Sequence, residues 1–241
     1  MDKNVTFVCP IAEIVSPKTF QSALAAVGYA AQKGIKFVDI GVTERQLIDG
    51  ARNVLAEAFL ATSTEWIFWM DADMVIPKDT ITELFKVAEE KDAKIVTGIY
   101  YQRRGANLPV LWSRNEETTG GHITGLTTEK AKNNKYAGAF MFPHKDKKTP
   151  FKVHAAGFGC VLIHRSVFEA LEKPWFKFIE KTCSEDFYFF VNAQEKGFDV
   201  WAQPTLKLGH IGDAPVVTVD DFWANAQKTN LEIDSIKVIK E

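Results

Sequence analysis

Short apolar segments alternate with amphipathic segments over the first part of the chain. Apolar runs of strand length lie near residues 5–11, 35–42, 66–70 and 94–100, and between them the apolar residues recur at the period of a helix. The run 66–70 is apolar or aromatic at every position, which is typical of a central strand covered on both faces. This pattern predicts an α/β fold with a mainly parallel central sheet flanked by helices.

Capping residues mark where some of the helices start. Ser16 followed by Pro17 predicts an N-cap and the first turn of a helix that runs to about residue 32. Thr43 is predicted to cap a second helix over 44–61, in which the apolar residues keep helical spacing.

The amino-acid composition changes after residue 101. Residues 102–152 are rich in Gly, Thr, Asn and Lys, so we expect a small antiparallel region there, with a hairpin turn at Gly120-Gly121. Periodic structure returns over 153–163, and Ser184 is predicted to begin another helix. No segment reads as a linker, and we predict a single domain over residues 1–241.

Composition narrows the class of protein. A net charge of −2 gives no general attraction to nucleic acid or to an anionic membrane, and 46% hydrophobic residues suffice for a sizeable core. Three cysteines without a metal-ligand or redox spacing favour a reducing compartment. No segment has the length of a membrane span or of the apolar region of a signal sequence. We therefore expect a soluble, cytoplasmic protein.

The strongest chemical signal is the acidic triplet Asp71-Ala72-Asp73, directly after the apolar run 66–70. Side chains two positions apart on an extended backbone point to the same side, and open α/β sheets bind ligands beyond the carboxyl ends of their strands. Two adjacent carboxylates repel each other unless a cation intervenes, and a divalent cation with bound phosphates is a natural partner. The alternative is a solvated acidic turn or a helix cap.

Two further polar groups lie late in the chain. Ser184-Glu185-Asp186 begins a predicted helix, where acidic residues complement the helix dipole; alternatively, Asp186 or Glu185 is a general base. His210 has glycines nearby on both sides, which leave it accessible. It is either a structural histidine or a metal ligand, and imidazole suits Mn²⁺ better than Mg²⁺.

Arg52 and a glycine pair complete the candidate residues. Arg52 lies close to the apolar stripe of its helix, and it is either a surface arginine or a contact to a phosphate or a base. Gly157 and Gly159 precede an apolar run and predict a turn at which a ligand can approach the backbone. Cys160 is expected to be a buried packing residue, because no base stands beside it in the sequence.

Taken in order along the chain, these segments resemble the GT-A glycosyltransferases, especially compact family-2-like members of bacterial and phage type. The segments that carry the resemblance are residues 5–10, 51–53, 69–74, 96–100, 157–163, 184–186 and 209–210. The resemblance implies one GT-A domain with a Rossmann-like sheet. It divides the domain into a nucleotide-sugar-binding half over 1–101 and an acceptor-side half over 102–241.

The resemblance also implies roles for individual residues in a metal-dependent hexosyl- or pentosyltransferase. Asp71 and Asp73 match the motif that holds the metal and the donor diphosphate, and His210 matches a late histidine that completes the metal site. Asp186, with Glu185 beside it, matches the base of inverting members. The residues implied to bind the nucleotide-sugar are Pro10, Ile11, Arg52, Asp71, Ala72, Asp73, Gly157 and Gly159.

The implied cofactor is Mn²⁺ or Mg²⁺, and the implied donor is a UDP-sugar. The acceptor could be a saccharide, a protein or a modified nucleic acid, and a phage-encoded enzyme would work in the host cytoplasm. Residues 129–152 contain seven lysines against two acids, so they form either a solvated loop or a lid over an anionic acceptor. The alternative functions are a nucleotidyltransferase, a DxD phosphatase and an inert module that binds nucleotide-sugar without turnover.

Overall fold

The structure is a computed structural model, and it describes residues 2–12, 14–114, 121–124, 135–136, 138–143, 147–179, 183–212, 218–221 and 224. The helices are α1 (Pro17–Gln32), α2 (Ile48–Ala61), α3 (Thr80–Glu90), α4 (Arg165–Ala170) and α5 (Glu185–Glu195). The strands are β1 (Asn4–Cys9), β2 (Lys36–Val42), β3 (Trp66–Met70), β4 (Met74–Val75), β5 (Ile95–Gly98), β6 (Leu111–Ser113), β7 (Gly121–Thr124), β8 (Ala139–Pro143), β9 (Phe151–Val153), β10 (Ala155–Ala156), β11 (Cys160–His164), β12 (Val200–Gln203) and β13 (Gly209–His210).

A seven-stranded sheet forms the centre of the fold, in the order β2-β1-β3-β11-β5-β12-β9. β1 is parallel to β2 and β3, and β12 is parallel to β5. β11 is antiparallel to both of its neighbours, β3 and β5, and β9 is antiparallel to β12 at the sheet edge. Since β3 and β5 therefore point the same way, the sheet is mainly parallel, and the predicted fold class is confirmed.

Two small sheets complete the architecture. The antiparallel sheet β10-β6-β8-β7 is the small antiparallel region that was predicted after residue 101. A second sheet joins β4 to β13, which are far apart in the sequence. The seven-stranded sheet itself draws strands from both halves of the chain, because β11 lies between β3 and β5.

Strand β3 is buried along its whole length between β1 and β11, and each of its five residues is 0% exposed. On one face Trp69 packs against Phe158 and Phe176, with ring centroids 5.5 and 5.6 Å away. On the other face Phe68 packs against Phe7 at 5.6 Å. Burial of one such side chain stabilises a fold by about 1.5–3 kcal/mol. The strand is thus a firm base for the residues that follow it.

Local hydrogen bonds explain where the first two helices begin. α1 starts at the predicted proline, and Ser16 Oγ accepts a hydrogen bond from the Thr19 amide at 3.0 Å. α2 starts at Ile48, later than predicted, because Thr43 Oγ1 accepts a hydrogen bond from the Ile11 amide at 3.3 Å instead of capping the helix. The second expectation was wrong because a contact distant in sequence overrode the local capping preference.

The periodic segment over 153–163 is divided among β9, β10 and β11, with a turn at 157–159 before β11. The predicted hairpin turn at Gly120-Gly121 lies partly outside the described residues. Within the part of the chain that the structure describes, none of the helices is both long enough and apolar enough to cross a lipid bilayer.

Candidate functional site

The acidic triplet lies at one edge of the sheet, directly after the carboxyl end of β3. The backbone turns directly after the strand, and the Met74 amide donates to the Asp71 carbonyl at 3.1 Å. Met74 then pairs with His210 across β4 and β13, and the Ile211 amide donates to the Asp73 carbonyl at 2.8 Å. This pairing brings His210 beside the triplet, although 137 positions separate it from Asp73.

Three charged side chains, Arg52, Asp71 and Glu185, form a group that we name the inner cluster, in which Asp71 is half-buried and the other two are buried. Arg52 donates to the two carboxylate oxygens of Asp71 through Nη1 and Nη2, at 3.1 and 3.2 Å. Its Nε donates to Oε1 of Glu185 at 3.3 Å. Arg52 is 3% exposed and Glu185 6% exposed. Because a guanidinium presents its donors as a rigid planar fork, this one residue ties the end of β3 to the start of α5.

Aromatic rings enclose the guanidinium of Arg52. Its Cζ lies 5.0 Å from the ring centroid of Phe158 and 5.9 Å from that of Trp69, within the range of cation–π attraction. Burial alone favours the neutral form, but the charges of Asp71 and Glu185 outweigh it and raise the pKa of Arg52 further above its already high value. Arg52 is therefore a permanent buried cation, and the alternative of a surface arginine is wrong.

A second group, Arg103, Asp73 and His210, lies nearer to solvent, and we name it the outer cluster. Nη1 of Arg103 and Nε2 of His210 both approach Oδ2 of Asp73, at 2.5 and 3.3 Å. The side chain of Arg103 is 47% exposed and that of Asp73 31% exposed, against 4% for Arg52. An ion pair this open to water contributes about 0–1 kcal/mol. Arg103 can therefore leave Asp73 easily.

The backbone orients the ring of His210. Nδ1 donates to the Tyr101 carbonyl at 2.8 Å, so Nε2 donates to Asp73 only in the protonated ring, and in the neutral ring the lone pair of Nε2 faces that carboxylate. Burial disfavours the imidazolium, but the hydrogen bond to Asp73 and its charge outweigh this and raise the pKa of His210. Burial likewise raises the pKa of Asp73, but His210 and Arg103 together lower it below its usual value. A carboxylate that stays ionised thus faces an oriented imidazole.

Asp186 lies in the first turn of α5, next to the inner cluster. Its Oδ1 accepts hydrogen bonds from the Phe187 amide, at 2.7 Å, and from the hydroxyl of Ser184, which is the N-cap residue of the helix. Burial raises the pKa of Asp186, and the charge of Asp71 adds to the effect. Burial also raises the pKa of Glu185, together with the charge of Asp186. A carboxylate with a raised pKa is a stronger base once it is ionised.

The two predicted glycines lie against the ring of Tyr100. A Cβ on Gly159 would come within 2.9 Å of that ring and of the Met74 sulfur, and a Cβ on Gly157 would overlap the tyrosine hydroxyl. The Gly159 amide donates to the Tyr100 Oη at 3.3 Å, and the Tyr100 ring meets that of His210 edge-on at 5.3 Å. Packing therefore requires glycine at both positions and supports His210. Their role in binding the donor stays a prediction.

The remaining predicted donor residues lie along the same edge of the sheet. Pro10 and Ile11 follow β1, where burial and the charges of the two aspartates of the triplet raise the pKa of the Cys9 thiol to about 12. The end of β1 is thus within electrostatic reach of both clusters. Ala72 is half-buried and packs against the hydrophobic residues on the α1 face of the sheet.

Asp73 and His210 are the two groups that could hold a divalent cation. No set of three or more His, Cys, Asp or Glu side chains is arranged for a metal ion among the described residues. Both carboxylate oxygens of Asp71 face Arg52, so its assignment as a direct ligand stays a prediction. Two protein ligands nevertheless fit an ion that completes its shell with water and substrate phosphates. The residues present are compatible with such a site.

Sequence reasoning missed Arg103 and Tyr100. The only available signal was their place at or just after the end of an apolar run, since the carboxyl ends of parallel strands line ligand sites. In the lysine-rich segment, Lys135 binds Glu195 at 2.9 Å and Lys152 binds Asp199 at 2.6 Å. These pairs agree with a solvated surface. Lys145 lies outside the described residues.

Comparison with solved structures places the architecture among GT-A folds. A197 from STIV superposes with a TM-score of 0.58 at 17% identity, covering 90% of this chain and 91% of that chain. GalNAc-T7, solved with UDP, GalNAc and Mn²⁺, superposes with a TM-score of 0.52 at 12% identity, covering 93% of this chain and 47% of that chain. This chain thus spans about half of the GalNAc-T7 chain. At these identities the similarity shows the fold alone.

Comparison with protein families gives a match to glycosyl transferase family 2 over residues 29–172, which is more than half of the chain. A search of curated proteins gives no significant match. The sequence resemblance, the fold and the family match all agree: this chain belongs to glycosyl transferase family 2.

Proposed function

We propose that this protein is a metal-dependent glycosyltransferase that moves a sugar from a nucleotide-diphosphate donor to an acceptor hydroxyl. The outer cluster carries the proposal. It joins an ionised carboxylate, an oriented imidazole and an exposed arginine at the ligand-binding edge of the sheet. A divalent cation and an anionic diphosphate are the partners that such a group selects.

Asp73 and His210 are proposed to hold the cation, Mn²⁺ or Mg²⁺, and the imidazole ligand favours Mn²⁺. When bound, the cation would supply Lewis-acid stabilisation of the negative charge on the departing nucleoside diphosphate. Asp71 remains a candidate third ligand, but its ion pair with Arg52 would have to loosen first. In the absence of that change, Arg52 orients Asp71 and Glu185.

The donor is proposed to be a UDP-sugar, with either a hexose or a pentose, because the similarly folded GalNAc-T7 was solved with UDP. Pro10 and Ile11, at the end of β1, are proposed to contact the base. Ala72, Gly157 and Gly159 are proposed to shape the pocket for the sugar and the diphosphate. In this arrangement the diphosphate would lie over the outer cluster.

Asp186 is proposed to act as the general base of an inverting reaction. Its carboxylate would take the proton of the acceptor hydroxyl as that oxygen bonds to the anomeric carbon of the donor sugar. The bond between the anomeric carbon and the diphosphate oxygen would break, and its electron pair would leave with the nucleoside diphosphate. Burial and the neighbouring acids hold the pKa of Asp186 above its usual value, which favours this role. Glu185, fixed by Arg52, is proposed to keep the start of α5 in position.

The acceptor remains a choice among saccharide, protein and nucleic acid. The phosphatase alternative would require Asp71 to be a nucleophile, but both of its oxygens are engaged by a buried guanidinium. Nucleotidyl transfer and binding without turnover are distinguished by the products of the following experiment.

The test is release of nucleoside diphosphate from a panel of nucleotide-sugars in the presence of Mn²⁺, followed by NMR. We expect slow metal-dependent hydrolysis of one donor by the wild type, suppression by a chelator, and loss in Asp73→Asn. Release of nucleoside monophosphate and sugar 1-phosphate would instead indicate attack at the α-phosphate, which is nucleotidyl chemistry. No turnover of any donor, or equal turnover by Asp73→Asn, would contradict the proposal.

A further inference from the structure

Arg103 has a place in the site that neither the acidic triplet nor the predicted ligand set accounts for. Its Nη1 is 2.5 Å from Oδ2 of Asp73, the same oxygen that faces Nε2 of His210 at 3.3 Å. A Cβ on Gly212 would lie 3.1 Å from the Arg103 Cβ and 3.2 Å from its carbonyl oxygen. The loop that carries His210 therefore packs directly on the backbone of Arg103, while the guanidinium end reaches solvent.

Arg103 and a divalent cation would compete for the same carboxylate oxygen. A cation on Asp73 would also bring two like charges close together, and such charges repel strongly at contact distance. The guanidinium is free to move, since its side chain is 47% exposed and an exposed pair of this kind is weak. Arg52 differs in this respect, because its guanidinium is buried and its donors are divided between two carboxylates.

With a divalent cation and a donor diphosphate bound, the site would also have a net negative charge that another cation could balance. The Asp73 carboxylate cancels half of the charge of a divalent ion, so a nucleotide-sugar diphosphate would bring an excess of negative charge. Arg103 is close enough to the proposed ion site to supply the missing positive charge. A guanidinium also matches phosphate oxygens with two parallel donors, which a single ammonium group cannot do.

We propose that Arg103 is an exchangeable cation of the donor site, moving from the Asp73 carboxylate to the donor diphosphate when a divalent cation binds Asp73. The inference rests on the proposed function, because it takes Asp73 as a ligand of that cation. In its second position Arg103 stabilises the negative charge that grows on the leaving nucleoside diphosphate. The absence of a side chain at Gly212 leaves room for the backbone of Arg103 beside the loop that carries His210.

The test measures two affinities with opposite expected changes. Binding of Mn²⁺ alone is followed by electron paramagnetic resonance, and binding of UDP in saturating Mn²⁺ is followed by calorimetry. In Arg103→Ala we expect Mn²⁺ alone to bind about 2- to 5-fold more tightly, because an exposed competitor has been removed. UDP should bind about 10-fold more weakly, because a charge-assisted contact has been lost.

Two further variants make the result specific. Arg103→Lys keeps the charge but loses the planar fork, so we expect Mn²⁺ affinity close to wild type and UDP affinity between those of wild type and Arg103→Ala. Arg104→Ala removes the same charge from the neighbouring exposed residue and should change neither affinity by more than about 2-fold.

The outcomes separate this inference from the proposed function. If the wild type binds UDP in a Mn²⁺-dependent manner but Arg103→Ala leaves both affinities unchanged, or weakens both, the exchange is overturned and the proposed function stands. If the wild type binds no UDP with Mn²⁺, the proposed function fails and the exchange fails with it. Thermal unfolding of Arg103→Ala close to that of wild type confirms that the variant is folded.

Discussion

The inner and outer clusters are built from similar parts in different surroundings. Each contains an arginine, one aspartate of the triplet and one further ionisable group from late in the chain, which contacts the arginine in the inner cluster and the aspartate in the outer cluster. The inner arginine is enclosed by aromatic rings and its side chain is 4% exposed, whereas that of the outer arginine is 47% exposed. The two aspartates themselves are similarly exposed, 23% and 31%, so the difference between the clusters lies in the arginine that each aspartate faces.

The difference indicates which contacts hold the site together and which can exchange. Removing one partner of a buried ion pair leaves an uncompensated charge without water, so the remaining groups are strongly destabilised. An exposed pair is replaced by hydration with little change in free energy. We infer that the inner cluster fixes the geometry of β3 and α5, and that the outer cluster meets the ligands.

The largest expected effect comes from breaking the inner cluster. Arg52→Met removes the cation between Asp71 and Glu185, and we expect a loss of about 3–5 kcal/mol in the free energy of unfolding. Urea denaturation at neutral pH measures it. Arg103→Ala is the matched control and should change stability by less than about 1 kcal/mol. Equal losses in the two variants would remove the distinction between the clusters.

Asp73→Asn tests the outer cluster, where we expect a large effect on turnover and a small effect on stability. We expect its donor turnover to fall by about 100- to 1,000-fold, because a proposed ligand is lost from the cation that would stabilise the leaving charge. Its unfolding free energy should stay within about 1 kcal/mol of wild type, since the ion pair is exposed. Steady-state kinetics and urea denaturation of the same preparation provide both values. Asp199→Asn, at a surface carboxylate paired with Lys152, is the control and should retain full turnover.

Gly159→Ala tests whether packing against Tyr100 supports the outer cluster. The added methyl group would meet the Tyr100 ring and the Met74 sulfur at 2.9 Å, so we expect a loss of about 1–3 kcal/mol in stability. Thermal or urea unfolding provides the measurement. Gly28→Ala in α1, where a Cβ would meet nothing within 4 Å, should be neutral or slightly stabilising. A stable Gly159→Ala protein would show that the ring can move aside.

A smaller effect on stability is expected from substituting Asp186, and its size depends on pH. Asp186 shares its surroundings with Glu185, Arg52, Asp71 and Tyr100, and burial, the largest influence, raises its pKa. A raised pKa in the folded state means that the stability contributed by the protonated group is present at low pH and lost as the pH rises through that pKa. The ionised carboxylate therefore destabilises the fold at neutral pH.

Asp186→Asn should accordingly be more stable than wild type at pH 7, by about 0.5–2 kcal/mol, although it loses turnover. The advantage should shrink as the pH falls below the raised pKa, where wild-type Asp186 is also neutral. Urea denaturation across this pH range tests the sign. A variant that is less stable than wild type at pH 7 would contradict it.

The sequence predicted those features that depend on neighbouring residues. The five consecutive apolar residues of β3 and the triplet after them were identified together, and Ser16-Pro17 marked the start of α1 correctly. The helix expected after Thr43 began later, because the threonine hydroxyl binds the Ile11 amide across the chain. Local patterns report local preferences, and a tertiary hydrogen bond can override them.

The clusters themselves depend on pairs that are distant in sequence. Arg52 and Glu185 are 133 positions apart, and no spacing pattern connects them. His210 was recognised by its glycines, but Gly212 turned out to make room for the backbone of Arg103. The glycines at 157 and 159 were predicted to admit a ligand, whereas in the structure the ring of Tyr100 takes the space beside them. The sequence identified the two glycines as unusual positions, but only the packing around Tyr100 in the fold explains why glycine is needed there.

The most direct test of the account is calorimetric titration of UDP into the wild type and Asp73→Asn, each with Mn²⁺ and with a chelator. We predict that the wild type binds UDP only when Mn²⁺ is present, and that Asp73→Asn does not bind it under either condition. Binding of UDP that is indifferent to both Mn²⁺ and the substitution would contradict the assignment of the outer cluster as the metal and donor site.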